Sequence, residues 1–474
     1  MTKALLIYNA QLLDEATDCP GAIFIENGKI RAIFQGYFTK LETLLPSVNE
    51  ILKEDGCEST CALDFFDAKG LTATPSFIDM HVHLRDPGFT QKEDLDSGLH
   101  ACVAGGYGTV VAMPNTSPVI SSFEMAQKNM LKAEKLGLAN LFQAVSITKG
   151  FDGKTTSHLK ELDRRFVPLI SEDGHDVLSS AVMLEAMKIA AKKGIIVSCH
   201  CEDPELALAA KPHRKKALEI MKEYSLVAWG GNCSCKNISE QILKNIDDEL
   251  SYANRLLELA EDIATERNIS IAKEANCHIH LCHVSTKKSI DYVRNAKKDF
   301  GEKFYEHISC EVTPHHLALE GTTEPNIRAL VNPPLRSNVD RNALIDAILD
   351  GTVDVIATDH APHSFEDKAE GAPGFTGIET TYAVCNTVLV QSEKICARKL
   401  SQLMSANAAR ILNLNKGLLK PGYDADITLV DPQEKWVVEP KLFYSKGKAT
   451  PFESKELTGR VKTVFINGTK LFES

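Results

Sequence analysis

The apolar residues in the middle of the chain form short continuous runs, most of which are followed by a helical or loop segment. We count eight runs, at residues 73–82, 108–113, 141–147, 166–170, 194–199, 278–284, 307–312 and 353–357. Continuous runs, rather than alternation of apolar and polar residues, are typical of parallel strands that are buried on both faces. Eight strand–helix units over about 340 residues fit the α/β fold known as the (β/α)8 or TIM barrel. We therefore predict such a barrel over residues 76–414, with a mostly helical insertion around 205–270.

The two ends of the chain have a different pattern, in which short apolar strands alternate with turns. Asn27-Gly28 lies between two apolar runs, and Asn467-Gly468 follows the apolar run 461–466; both are hairpin signals. Residues 1–75 and 415–474 are rich in such strands. We expect these two segments to pair into one small β-sandwich domain, with the barrel inserted between its halves.

Composition and charge narrow the function classes. The chain has 474 residues, of which 43% are hydrophobic and 25% charged, as is typical of a globular protein. A formal net charge of −11 argues against a nucleic-acid partner, and no run approaches the ~20 apolar residues of a membrane span. The 13 cysteines form no disulfide framework, which indicates a reduced compartment. We expect a cytoplasmic protein that acts on a small molecule, without nucleic acid or membrane as a partner.

Residues that commonly bind metals lie at the ends of the predicted strands. His81 and His83 are two residues apart at the end of the first run, so their side chains project from the same face of a strand. Further candidates end or closely follow the fourth, fifth, sixth and eighth runs, namely Asp173, His200, His283 and Asp359. Because the carboxyl ends of all barrel strands converge on one face, we expect these six side chains to meet there. Four imidazoles with one or two carboxylates form a ligand set for Zn²⁺, as one ion or as a pair.

For a single histidine, a hydrogen-bonded core or surface position is a more common role than that of a metal ligand. We assign this role to the histidines away from the strand ends just named, which are His100, His158, His213, His278, His280 and His307. His315 and His316 could either orient metal ligands or belong to an ordinary loop. If the strand-end residues had only ordinary structural roles, their location at strand ends would be a coincidence repeated on four separate runs.

A metal at this face predicts hydrolysis of an amide-like C–N bond, or its reversal. A bound metal lowers the pKa of water to about 7 and polarises a carbonyl oxygen. Asp359 can accept the proton of the water and pass it to the leaving nitrogen, and Arg85 is a nearby fixed cation that suits an anionic substrate. The chain has neither a Gly-x-Ser-x-Gly turn nor a Walker phosphate loop, so serine-nucleophile and nucleotide chemistry are not indicated.

Several motifs of the chain are similar to those of one enzyme family. The run Asp79-Met80-His81-Val82-His83-Leu84-Arg85-Asp86-Pro87-Gly88 resembles the first motif of class I dihydroorotases, which belong to the amidohydrolase superfamily. Further matches follow in the expected order, at residues 113–116, 147–150, 283–286, 311–317, 331–336, 358–363, 377–380 and 422–426. The resemblance therefore spans most of the chain.

This resemblance implies zinc-dependent ring opening of dihydroorotate to N-carbamoyl-L-aspartate, and in pyrimidine (UMP) biosynthesis the reverse closure. It implies that His81 and His83 bind one zinc and that His200 and His283 bind a second. Asp173 would bridge the two, and Asp359 would be both a zinc ligand and the general base. Arg85, Asn115 and His363 are implied to hold the substrate carboxylate, and Asn332, Pro373 and Gly374 to meet the ring. His83 is implied as a further substrate contact. A homodimer is a candidate assembly.

One departure from the wider superfamily leaves the number of zinc ions open. Many relatives bridge their metals with a carboxylated lysine after the fourth strand, whereas residues 166–174 contain no lysine and Asp173 takes that place. The glycine-rich segment 361–379, just past Asp359, is predicted to be a mobile lid that excludes water.

Two other functions compete with dihydroorotase activity. Hydantoinases, dihydropyrimidinases and allantoinases act on rings that lack the carboxylate, so Arg85 and Asn115 argue against them. Catalytically silent, dihydroorotase-like structural subunits have typically lost metal ligands, whereas every expected ligand is present here.

Overall fold

The computed structural model describes residues 3–54, 62–224, 239–321 and 330–474. Its strands are, in chain order, β1 (Lys3–Leu13), β2 (Asp18–Glu26), β3 (Lys29–Gln35), β4 (Ala62–Asp67), β5 (Thr72–Pro75), β6 (Phe77–Val82), β7 (Tyr107–Ala112), β8 (Asn140–Gln143), β9 (Val145–Ser146), β10 (Leu169–Ser171), β11 (Ile196–Cys199), β12 (Ile279–Leu281), β13 (Ile308–Val312), β14 (Val355–Ile356), β15 (Ile427–Val437), β16 (Glu456–Ile466) and β17 (Thr469–Glu473).

The helices are interleaved with the strands of the central part. They are α1 (Leu45–Glu54), α2 (Leu95–Ala104), α3 (Phe123–Leu136), α4 (Ser180–Lys193), α5 (Pro204–Glu223), α6 (Glu240–Ala275), α7 (Lys287–Phe300), α8 (Pro314–Ala318), α9 (Asn338–Leu349), α10 (Phe365–Ala369), α11 (Thr381–Cys385), α12 (Ala397–Ser401) and α13 (Asn407–Leu412). Two π-helical turns, Asn386–Val390 and Gln402–Ala406, continue α11 and α12.

Parallel strands β6 to β14 form the predicted barrel. β6, β7 and β8 pair side by side, as do β9 to β14 in chain order. β8 and β9 are separated only by Ala144, whose N–H still bonds to the Ala112 carbonyl, so they occupy one strand position. A parallel bridge between Val82 and His360 joins β6 to the segment after β14 and closes the ring. The eight strand positions coincide with the eight apolar runs, and the α/β barrel prediction is confirmed.

Helix caps bring the chain back to the barrel between strands. The Ser179 hydroxyl accepts a hydrogen bond from the Val182 N–H and begins α4. Gly194 ends the helix with φ of 65°, a left-handed conformation that glycine adopts without steric cost. β11 begins two residues later at Ile196, and it carries His200 at its carboxyl end.

The insertion after β11 is helical, as expected, in its described part. α5 and the 36-residue α6 pack against each other, and α6 also packs on α4. Glu261 of α6 is buried and pairs with Arg336 at 3.0 Å, and it also accepts hydrogen bonds from Ser285. The insertion is therefore fixed to the barrel close to the end of β12. Residues 225–238, inside the predicted 205–270 segment, lie outside the described residues.

The terminal segments form a sheet of their own. β1 pairs with β4 through its first half and with β5 through its second half, and this change of partner lies near the bulge between Ile7 and Ala10. β15 pairs with β5, so the C-terminal strands join the N-terminal ones. Phe66 of β4 and Phe465 of β16 are not on paired strands, yet their ring centroids lie 5.1 Å apart. Strands from both ends of the chain thus enclose a common apolar layer.

Among the described residues, none of the helices combines the length and apolar character that a transmembrane span needs. The cysteines in this part of the chain are free thiols.

Candidate metal centre

Four predicted ligands from three parts of the barrel meet around one point. His81 Nε2 lies 3.3 Å from Asp173 Oδ1 and 3.7 Å from Asp359 Oδ1. His83 Nε2 lies 3.2 Å from Asp359 Oδ1 and 3.5 Å from Asp173 Oδ2. All four side chains are buried. The carboxyl ends of β6, β10 and β14 thus converge here, as the barrel prediction requires.

Two further histidines approach the other side of Asp173. His200 Nδ1 is 3.3 Å and His283 Nε2 is 3.9 Å from Asp173 Oδ1, and the two ring nitrogens are 3.0 Å from each other. Asp173 Oδ1 therefore lies near His81, His200 and His283, whereas Oδ2 lies near His83. The structure brings together all six side chains that the sequence analysis named as ligands.

The donor set fits a metal ion. A tetrahedral zinc site with bonds of about 2.0–2.1 Å has ligand atoms about 3.3–3.4 Å apart, and the separations above range from 3.0 to 3.9 Å. His81 Nε2 and Asp173 Oδ1 are buried and have no hydrogen-bond partner among the described residues. Buried polar atoms without partners are costly, so these two atoms call for a ligand such as a cation.

The electrostatics of the cluster keep the two carboxylates ionised. Burial opposes ionisation of Asp359, but the hydrogen bond from His83 and the charge of His81 lower its pKa below the usual range. Asp173 is also buried, and its histidine neighbours, His81 first, hold its pKa well below the usual value. Both side chains therefore present anionic oxygens, the form in which carboxylates bind metals.

Three residues at this site also have strained backbone conformations. Arg85, His283 and Asp359 have φ of 58°, 31° and 49°, in a region that non-glycine residues seldom adopt. Such conformations persist where the surrounding structure enforces them and are commonly found at functional sites.

Glu311 is a functional candidate that the sequence analysis did not single out. This buried residue of β13 bonds to His81 Nδ1 at 2.9 Å and to His280 Nε2 at 3.0 Å, and it accepts from the His283 N–H. Burial opposes its ionisation, but hydrogen bonds from His280 and His81 lower its pKa to about 2. The contact places a proton on His81 Nδ1 and leaves Nε2 free to bind a metal. The signal in the sequence that could have identified Glu311 is a carboxylate inside the apolar run 307–312.

Two further contacts orient the ligands. Asp79, fully buried, accepts hydrogen bonds from the Thr358 N–H and hydroxyl and from the His81 N–H, and so ties β6 to the end of β14. Burial raises the pKa of Asp79 to about 7. Asn115 Oδ1 lies 3.0 Å from His83 Nδ1, and its Nδ2 donates to Asp173 Oδ2 at 3.0 Å. Asn115, expected at the substrate, also holds two ligands in place.

Cys282 lies close enough to His81 and Glu311 to form a third group of potential ligand atoms. Burial raises the pKa of its thiol to about 12, and Ser198 Oγ lies 2.9 Å from its Sγ. The thiol thus has the Ser198 hydroxyl as a hydrogen-bond partner, and its position does not require a metal.

Arg85 and His363 meet beside the cluster. Arg85 Nη2 lies 3.2 Å from His363 Nε2, and since arginine only donates, that imidazole nitrogen accepts. Burial and the charge of Arg85 lower the pKa of His363 to about 2, so its ring is neutral. The guanidinium has further N–H groups for an anion.

Asn332 and Pro373 line a cavity of about 320 Å³ together with Glu202, whose carboxylate is 3.6 Å from His200. Cavities of this size hold small organic ligands. His316 lies in α8 and is hydrogen-bonded to Thr313, which caps that helix, and to the carbonyl of Pro333 on a different segment. The mobility of segment 361–379 stays a prediction.

Comparisons with known proteins agree with this geometry. Residues 72–471 match the Amidohydrolase family. A dihydroorotase of Clostridium botulinum (strain Eklund 17B / Type B) is 37% identical over 465 residues, which cover 98% of this chain and 98% of that protein. A dihydroorotase of Aquifex aeolicus (strain VF5) is 33% identical over 476 residues, 99% of each chain. The chain belongs to the amidohydrolase family. Within this family it groups with the dihydroorotases.

Solved structures of a hydantoinase and a dihydropyrimidinase have the same fold. An L-hydantoinase from Arthrobacter aurescens superposes with a TM-score of 0.77 at 20% identity, covering 99% of this chain and 96% of the other. A dihydropyrimidinase from Brevibacillus agri gives a TM-score of 0.75 at 19% identity, covering 100% and 95%. At these identities the likeness concerns the fold.

We predict that Glu311→Gln weakens metal binding about 10–100-fold, the usual effect of removing a partner that orients a ligand. His81 and His280 bond to different oxygens of Glu311. Glutamine replaces one of these oxygens with an NH₂ group that only donates, so the two rings can no longer both be held in this orientation. Competition with a chromophoric chelator measures the affinity. Glu249→Gln is the matched control, because Glu249 also bonds a histidine, His213, but on the helical insertion. Equal affinities of Glu311→Gln and wild type would contradict the prediction.

Proposed function

We propose that this amidohydrolase is a dihydroorotase, which reversibly hydrolyses dihydroorotate to N-carbamoyl-L-aspartate in de novo pyrimidine biosynthesis. The observation that carries the proposal is a complete ligand cluster with a forked cation, Arg85, beside it. Near-full-length similarity to curated dihydroorotases supports the same substrate.

We further propose two zinc ions per chain. His81, His83 and Asp359 would hold one, His200 and His283 the other, with the two Asp173 oxygens shared between them. The Asp173 carboxylate lies within 3.9 Å of all four histidines, and this central position supports the bridging role. A metal bound here supplies water of lowered pKa and polarises the carbonyl of the scissile amide.

Asp359 acts as the general base in this proposal. Its pKa is held below the usual range, so at neutral pH it is a carboxylate that can accept the proton of the attacking water. Its side chain lies in the cluster, with Oδ1 3.2 Å from His83 Nε2. The same carboxyl then delivers the proton to the ring nitrogen as the C–N bond breaks. In the closing direction the proton moves the opposite way.

Arg85 selects the acid-bearing ring. Its planar guanidinium can bind a carboxylate through two parallel N–H donors, while one N–H is held by His363. Hydantoins and dihydropyrimidines carry no such carboxylate. The complete ligand set likewise argues against a silent structural subunit. A cytoplasmic location and a homodimer stay predictions.

The two-zinc proposal predicts about two metal ions per chain in the wild-type protein, and about one or fewer in Asp173→Ala. Removal of the shared carboxylate takes a ligand from both ions. Inductively coupled plasma mass spectrometry of the purified proteins gives the ratio. A single ion in wild type would contradict the proposal of a pair, and absence of bound metal would favour the structural subunit.

We predict that Asp359→Asn lowers kcat for dihydroorotate hydrolysis at least 10²–10⁴-fold, roughly the contribution of a general base. The amide cannot take the proton of the water. Ultraviolet absorbance follows ring opening directly. Glu366→Gln makes the same change at an exposed carboxylate seven residues away and should leave kcat unchanged. An Asp359→Asn enzyme with near wild-type kcat would refute the assigned role.

Arg85→Met is expected to raise KM for dihydroorotate about 10–100-fold, because it removes a charged hydrogen-bonding partner of the substrate. For rings without a carboxylate, the variant and wild type should have the same KM. Arg165→Met, at an exposed arginine paired with Asp163, is the control. A wild-type enzyme that opens hydantoin or allantoin but ignores dihydroorotate would overturn the substrate assignment.

A further inference from the structure

Two loops meet at the cavity beside the ligand cluster. Residues 330–332 and 372–374, here called the ring loops, contain Asn332, Pro373 and Gly374, which the proposed function places at the substrate ring. The Gly374 N–H donates to the Leu330 carbonyl at 2.9 Å, so the loops touch through their backbones. Gly374 has φ of 113°, and a Cβ there would lie 2.8 Å from the Ala361 side chain. The ring loops therefore press against the segment that follows Asp359.

Lys368 of α10 binds the backbones of both ring loops. Its side chain is fully buried, and Nζ donates to the carbonyls of Leu330, Ala372 and Gly374 at 2.9, 2.9 and 2.8 Å. An ammonium group has three N–H donors, and each finds one acceptor. One acceptor lies on the first ring loop and two on the second, so one cation fixes their separation.

The placement of this charge is costly unless the carbonyls offset it. No carboxylate of the described residues lies within ion-pair distance of Lys368 Nζ. Burial and the charge of Arg214 lower the pKa of Lys368 to about 7, whereas the three carbonyl acceptors favour its ammonium form. Burial of a lysine without a counter-ion carries a desolvation free energy that an apolar side chain in the same space would not incur. Its specific contribution is the three hydrogen bonds to the ring loops.

Arg214 of α5 supports the first ring loop from the insertion. Its guanidinium donates to the Asn332 side-chain oxygen and, at 3.3 Å, to the Val331 carbonyl. Because arginine only donates, the Asn332 amide must turn its oxygen to Arg214. The Asn332 NH₂ group then remains available to donate to a carbonyl of a ring.

We propose that Lys368 and Arg214 are positioning residues for recognition of the substrate ring: they hold the ring loops in the conformation that receives it. This inference rests on the proposed function, which supplies the ring contacts. Neither residue reaches the ligand cluster through any hydrogen bond among the described residues. Their loss therefore affects binding of the ring rather than proton transfer at Asp359.

The test compares Lys368→Met and Arg214→Gln with wild type and with Lys222→Met. Lys222 pairs with exposed Glu370 at 2.7 Å and makes no bond to the ring loops, so it is a matched control. For Lys368→Met and Arg214→Gln we expect KM for dihydroorotate to rise at least about tenfold, with kcat changed less than about threefold. Hydrogen exchange, followed by mass spectrometry, should be faster in peptides that cover 330–332 and 372–374. Lys222→Met should match wild type in both readouts.

The experiment distinguishes failure of the proposed function from failure of the positioning role. If wild type does not turn over dihydroorotate, the proposed function fails, and hydrogen exchange still reports whether the two cations hold the ring loops. If both variants keep wild-type KM, the positioning role is overturned, whatever their melting temperatures. Unchanged exchange in both variants overturns it as well. Should Lys368→Met fail to fold, the half-buried Arg214→Gln decides the question alone.

Discussion

The closure of the barrel between its first and last strands is the constraint on which the rest of the site depends. Val82 and His360 form the closing bridge, and the His83 N–H donates to the His360 carbonyl at 2.8 Å. Asp79 adds two hydrogen bonds across the same seam, from the N–H and the hydroxyl of Thr358, 279 positions away along the chain. Without this seam the two histidines of β6 and the carboxylate after β14 would have no fixed relation.

Charge compensation is the second organising principle, and it extends well past the ligands. Carboxylates alternate with imidazoles from Asp359 through His83, Asp173, His81 and Glu311 to His280. Within this network each carboxylate lies against imidazoles that offset its desolvation cost, as low-dielectric interiors require. Such a network fixes ring orientations before any metal or substrate arrives, which is the preorganisation that catalysis exploits.

Much of this could be predicted from the sequence, for identifiable physical reasons. Parallel strands buried on both faces leave continuous apolar runs, and residues at their carboxyl ends meet by topology, so His200 and His283 could be placed without coordinates. Glu311, Lys368 and Arg214 were not found in this way, because their roles depend on which atoms they face. No local pattern distinguishes a lysine that binds three carbonyls from one on the surface. The division of β1 between two partners is likewise a tertiary property.

The helical insertion has a consequence for attempts to shorten this chain. On one side, its Arg214 donates a hydrogen bond to Asn332. On the other side, its Glu261 pairs with Arg336 and accepts a hydrogen bond from Ser285, two residues after His283. Helices α5 and α6 therefore support the wall of the cavity. A trimmed barrel would need a substitute cation and a substitute carboxylate at these two points before it could serve as a compact catalyst.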